Sequence, residues 1–337
     1  MLRKWSYCTV LVYFTLGKLF AQYDPYINHF FFFSPYYNPA STGAFSQTNV
    51  SLLYRYQWLG YASTTGDANG SPRSTIFNFD TRINILNSGV GAYISYDQLG
   101  PLAITNAKVN YAYHLDFDET KRLSFGLGLG IYDISINSAA IRVIDQGDPR
   151  VLQLLANGTA STLDINTGVH YSSKKFKIGI GVLHINTPIY LSSTNTNNGT
   201  NLSSLSLNRS FILTSGYDFV LTEKFILSPV VLASTSPITR NEADFFKNYF
   251  VNATTLIKYN NDQLWGGLSI KSVGEASFLF GIGLFQDNLL RIGYSFDVIL
   301  MGSAAKAGTS HEIFLSYRKP IQDMLPKPPI RTPRYRY

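Results

Sequence analysis

One cysteine, Cys8, stands in 337 residues, so neither an intramolecular disulfide nor a cysteine-built metal site is available. Histidine is nearly as scarce. His29, His114, His170, His184 and His311 occur singly in separate segments, without the i, i+4 spacing of a zinc-binding helix. They are expected to be isolated polar residues in strands or at a membrane interface, with no metal or other cofactor. No serine carries the marks of a nucleophile, so no catalytic residue is expected. Charged side chains make up only 15% of the chain, with 28 basic against 21 acidic residues. Loss of Arg3, Lys4 and Lys18 with a leader would reduce the basic excess to four, too balanced for a nucleic-acid partner.

Long apolar runs are also missing. Arg3 and Lys4 precede "WSYCTVLVYFTL" and then "GKLFA", the order of a secretory signal peptide over residues 1–21 with cleavage after Ala21. That run is too short for a bilayer-crossing helix, which needs about twenty apolar residues, and nothing after it is longer. An exported, cysteine-poor chain without membrane helices but with 15% aromatic residues fits an outer-membrane β-barrel. A large secreted β-sandwich is the soluble alternative.

The pattern that is present has period two. In "AKVNYAYHLDF", Val109, Tyr111, Tyr113, Leu115 and Phe117 share one face, and Lys108, Asn110, His114 and Asp116 the other. Strand one sets Val50, Leu52, Tyr54, Tyr56 and Trp58 against Ser51, Arg55 and Gln57. About fourteen such segments occur, near 49–58, 73–83, 88–97, 103–117, 120–136, 160–172, 175–186, 208–220, 223–234, 248–260, 263–271, 276–286, 288–301 and 309–318. In most hairpins the links after odd-numbered segments are long, as in "LGYASTTGDANGSPRS" and "TPIYLSSTNTNNGTNLSSLS". Links after even-numbered segments are turns such as "DET", "SSK", "NNDQ" and "QDN". This segregation predicts an all-β, transmembrane antiparallel barrel over 49–318 with both termini periplasmic.

Three segments, "FGLGLGI", "FKIGIGV" and "FGIGLF", place glycine on one strand face and so leave room in the lumen. The charges on the polar faces are expected to pair with one another there or to line a channel. Between the leader and strand one lies "NHFFFFSPYYNPASTG", too short to span a bilayer and too rich in proline for a central strand. Its outlets are the barrel's own lumen or periplasmic mouth, where strand glycines make room, or a partner protein; residues 22–48 are expected to form a plug-like aromatic segment in which 24–43 fold against the barrel mouth. At the other end, 319–337 is a basic tail whose five prolines suit an extended docking peptide.

Asp24-Pro25, then Pro35-Tyr36-Tyr37-Asn38-Pro39-Ala40 with Gly43, then Tyr54-Arg55-Tyr56-Gln57-Trp58-Leu59-Gly60, resemble the PorP/SprF family of outer-membrane proteins of the bacterial type IX secretion system. Ser41 stands where that family commonly has an aromatic residue. The resemblance implies a non-enzymatic barrel in contact with outer-membrane lipid. It would assist export or surface attachment of a secreted substrate, such as a gliding adhesin, together with the secretion machinery. The residues expected to meet partners are Asp24, Pro25, Phe31, Phe32, Phe33, Pro35, Tyr36, Tyr37, Asn38 and Pro39, with Arg331, Arg334 and Arg336 in the tail. The alternative function is an outer-membrane channel for small or hydrophobic solutes, similar to fatty-acid transporters. An outer-membrane lipid hydrolase ranks third.

Overall fold

The computed structural model describes residues 24–59, 70–118, 120–137, 159–191, 205–237, 248–300 and 308–321. The expected signal peptide, residues 1–21, and Arg331, Arg334 and Arg336 lie outside the described residues. Fourteen antiparallel strands build the wall. In chain order, β1 is Gln47–Tyr56, β2 Arg73–Ile83, β3 Ser88–Leu99, β4 Leu102–Asp116 and β5 Arg122–Ile136. Then come β6 Thr159–Ser172, β7 Phe176–Leu183, β8 Ser210–Tyr217, β9 Phe225–Thr235 and β10 Tyr249–Tyr259. The set ends with β11 Leu264–Lys271, β12 Glu275–Leu284, β13 Leu290–Ile299 and β14 Ser310–Pro320.

Each strand pairs with its sequence neighbours. The ring closes where β14 returns to β1, in a register running from Gln47↔Pro320 to Tyr56↔His311. Closure leaves no open edge, as a chain inside lipid requires. The barrel thus begins two residues before the expected 49 and ends two beyond 318.

Alternation decides which face each side chain meets. Val109, Tyr111, Tyr113 and Leu115 are exposed on the outside, while Lys108, Asn110 and His114 are buried inside. The same holds around the ring, with Leu52, Phe77, Ile94, Leu129, Phe280 and Leu315 among the outward residues. So continuous an apolar belt is untenable in water and natural in a bilayer. Aromatic residues thicken it at the end bearing Gln47 and Pro320, where Tyr217 meets Phe219 at 4.5 Å and Phe225 meets Tyr259 at 5.0 Å. We call this the termini end.

Turns at the termini end are tight. Asn87, Asn260, Asn261 and Asp262 take left-handed φ values of 45°, 48°, 57° and 65°, which Asn and Asp tolerate better than other residues with a Cβ. At the far end the connections across 57–72, 137–158, 184–209, 236–248 and 300–309 are long, but those after β3 and β11 are short. Strand β7 stops at Leu183 rather than the expected 186, because His184 and Thr187 adopt φ of 55° and 42°. Beyond them Ile189–Leu191 pairs with Leu205–Ser206, a small hairpin that period-two reading did not find. It folds inward: Leu207 packs on the lumen-facing Ile104, Tyr132 and Ile134.

Candidate functional site: the filled lumen

Residues 24–46 run down the inside of the barrel from the far end to the termini end, deeper than the expected seat at the mouth. Asp24 starts the path, its carboxylate 2.9 Å from His184 Nε2. His184 Nδ1 lies 2.7 Å from Asp164, which also pairs with Lys108. Burial alone would lower the His184 pKa, but the two carboxylates outweigh it and raise the imidazole to about 9. Next, Tyr26 stacks on Phe250 at 3.7 Å and its hydroxyl bonds Ser234.

Asn28 and His29 then enter a buried ionic cluster. Both backbone N–H groups donate to Glu312, each at 2.9 Å, and His29 Nδ1 lies 2.6 Å from the same carboxylate. Glu312 and Asp297 are shared by Arg55 at 3.2 and 2.7 Å, and Lys271 reaches Asp297 at 3.0 Å. Nearer the termini end, Arg82 pairs with Asp116 at 2.6 Å, and Lys258 and Arg291 pair with Asp218 and Asp262, each at 3.3 Å. The polar-face charges therefore mostly neutralise one another, as buried charges must.

The four phenylalanines form a turn, Phe30–Phe32, closed by Phe33 N–H donating to Phe30 O at 3.1 Å. Phe32 meets Phe314 at 4.6 Å and Trp265 at 5.4 Å, and Phe33 is wholly buried. A single helical turn, Ser34–Tyr37, follows, with Pro35 in its first turn, where its missing N–H costs nothing. Tyr36 meets Tyr93 at 5.0 Å, while the Tyr37 hydroxyl donates to Pro25 O at 3.4 Å and accepts from Ile27 N–H at 3.2 Å. Asn38 both ends this turn and caps the next, Pro39–Ser41. Its Oδ1 accepts from Ala40 N–H at 2.9 Å and its Nδ2 donates to Val169 O at 3.0 Å.

The wall is shaped to this backbone. A Cβ on Gly126 of β5 would strike the backbone of Ala40, and one on Gly168 of β6 the Asn38 amide. On Gly181 of β7 it would strike the Tyr37 carbonyl, and on Gly89 of β3 the Thr42 carbonyl. Two of the three glycine-rich segments thus make room for the crossing of Tyr37–Thr42. The third does not: Gly281 admits the Trp265 ring, which in turn supports Phe32.

Asp24, Pro25, Phe31, Phe32, Phe33, Pro35, Tyr36, Tyr37, Asn38 and Pro39 are all brought together in the lumen, but with different exposure. Tyr36 to Pro39 are covered by the wall, whereas the half-buried Phe31 and Phe32, together with Pro35, border a cavity of about 290 Å³ at the termini end. The histidines are less isolated than expected. His29 and His184 anchor the segment, and His170 faces Phe45 at 6.0 Å. Their partners, Glu312 and Asp164, were not singled out from sequence. Each is one acidic residue in an otherwise ordinary strand, and only the sheet register brings it to the plug. Among the described residues no three His, Cys, Asp or Glu side chains group as a metal site.

Fold and site together define a transmembrane β-barrel whose lumen is filled by its own N-terminal segment. The family model for the type IX secretion system membrane protein PorP/SprF matches residues 19–317, and the chain belongs to that family. Among solved structures, it is similar to the toluene transporter TbuX of Ralstonia pickettii, at 12% identity over 85% of this chain and 92% of that one, with a TM-score of 0.47. The CymD monoaromatic hydrocarbon channel matches at 12% over 84% and 91%, TM-score 0.47. A Pseudomonas aeruginosa FadL homologue matches at 9% over 85% and 93%, TM-score 0.45. No curated protein sequence matches the chain.

Proposed function

We propose that this barrel sits in the outer membrane with both termini in the periplasm and helps export or surface-attach one secreted protein, such as a gliding adhesin. It does so as a binding component of the type IX machinery. The observation that carries the reading is the filled lumen: a chain held by Asp24, Asn28, His29 and Asn38 obstructs free diffusion and presents Phe31 and Phe32 toward the termini end. Those two rings are the segment's partner-facing residues, while Pro35 to Pro39 hold them in place. Arg331, Arg334 and Arg336 would add a second, charged contact from the tail. A solute channel remains the competing function and would need the segment displaced.

The test is a deletion strain complemented with the double variant Phe31→Ser, Phe32→Ser. Normal barrel insertion with loss of the surface protein supports the proposal. Normal surface display with impaired uptake of a hydrophobic solute would replace it with the channel.

A further inference from the structure

The cavity at the termini end holds an electrostatic imbalance. Its lining includes five cationic side chains, Lys175, Lys177, Lys258, Arg291 and Arg318, against Asp80, Asp218 and Asp262. Lys258 and Arg291 are matched by Asp218 and Asp262, and Asp80 accepts from Asn49, Asn78 and the Gly43 N–H. Lys175, which is exposed, and Lys177 and Arg318 have no carboxylate within ion-pair distance among the described residues. Instead Lys177 Nζ sits 4.8 Å above the Phe45 ring, and the Arg318 guanidinium 4.6 Å above Phe32. The Arg318 side chain donates one hydrogen bond, from Nε to Ser316 Oγ at 3.3 Å. In the same wall His170 is only 5% exposed, and its Nδ1 has no hydrogen-bond partner. Two cations resting on rings beside an unpartnered imidazole nitrogen make a site short of an anion, since a ring face holds a cation less firmly than a carboxylate does.

We propose that this cavity binds a carboxylate carried next to an apolar or aromatic group, and that the source is an acidic peptide segment of a partner entering from the termini end. Lys177 and Arg318 take the carboxylates, and Phe31, Phe32 and Phe45 take the apolar neighbour. At about 290 Å³ the space is at the low end for ligand pockets and suits a peptide tip, not a folded domain. Occupancy has a consequence for the plug. Drawing Lys177 and Arg318 toward carboxylates takes them off Phe45 and Phe32, two of the rings through which the wall touches the termini-end half of the segment. The ligand thereby loosens the same segment that fills the lumen. This rests on the binding function proposed above, but the site is tested on purified protein, independently of any secretion phenotype.

The probe is acetyl-Glu-Phe-Glu-amide, titrated calorimetrically into the detergent-solubilised full chain, with acetyl-Gln-Phe-Gln-amide and octanoate as comparisons. Binding of the acidic peptide that weakens with added salt, falls at least tenfold in Lys177→Gln and in Arg318→Gln, and survives in Lys177→Arg and in Lys224→Gln supports the site. Folding of each variant is checked by heat-dependent gel mobility. Equal binding of the neutral peptide, or an unchanged affinity in a folded Lys177→Gln, Arg318→Gln double variant, overturns it. Octanoate binding with the same dependence but without peptide binding overturns the peptide as source and gives the site to free acids.

Discussion

At the start of the segment one imidazole, His184, joins Asp24 of the segment to Asp164 of the wall. Its pKa in the folded protein, about 9, lies above the ordinary value of 6.5. The stabilisation it gives is therefore complete below about pH 6.5 and is lost as pH rises through about 9. Protease protection of the N-terminal segment in detergent-solubilised protein is predicted to decline across that interval. Protection in His184→Gln should begin lower and vary less with pH over the same range. An unchanged decline in that variant would mean that another group controls the segment.

The strands that cross the plug show why glycine recurs in them. Strands β3, β5, β6 and β7 each bring a glycine within van der Waals contact of residues 37–43, so even one methyl group must displace the segment's backbone or, at Gly168, the Asn38 side-chain amide. Gly126→Ala and Gly168→Ala are predicted to lower stability by about 1–3 kcal/mol each, the usual cost of overpacking. Gly266→Ala, where a Cβ would find only Leu279 O at 3.5 Å, should cost far less. Heat-dependent gel mobility measures all three, and equal costs would contradict the crossing. Alternation and turn chemistry are local, so strand faces, strand number and the tight turns at the termini end were legible in the sequence. So was the fact that "FGLGLGI" and "FKIGIGV" left space. That the aromatic segment could fill it was legible as well, but not its path or depth, because the contacts of Asn38 with Gly168 and of Asn28 with Glu312 depend on register between residues far apart in the chain.

At the scale of the molecule, a closed fourteen-stranded wall and a luminal segment make one unit, tied at the far end by His184 and the Glu312 cluster and at the termini end by rings under Lys177 and Arg318. The same arrangement accounts for an aromatic stretch that would aggregate if left in water, since each phenylalanine buried inside the barrel contributes about 1.5–3 kcal/mol. The central claim is that residues 24–44 occupy the lumen. It is tested most directly by accessibility of Ala40→Cys, a thiol unique in the chain once Cys8 is replaced, to a small hydrophilic maleimide in isolated outer-membrane fragments open on both faces. The account predicts no labelling until the protein is heated in detergent, while Phe285→Cys in an exposed turn labels at once. Labelling of both at the same rate would contradict it.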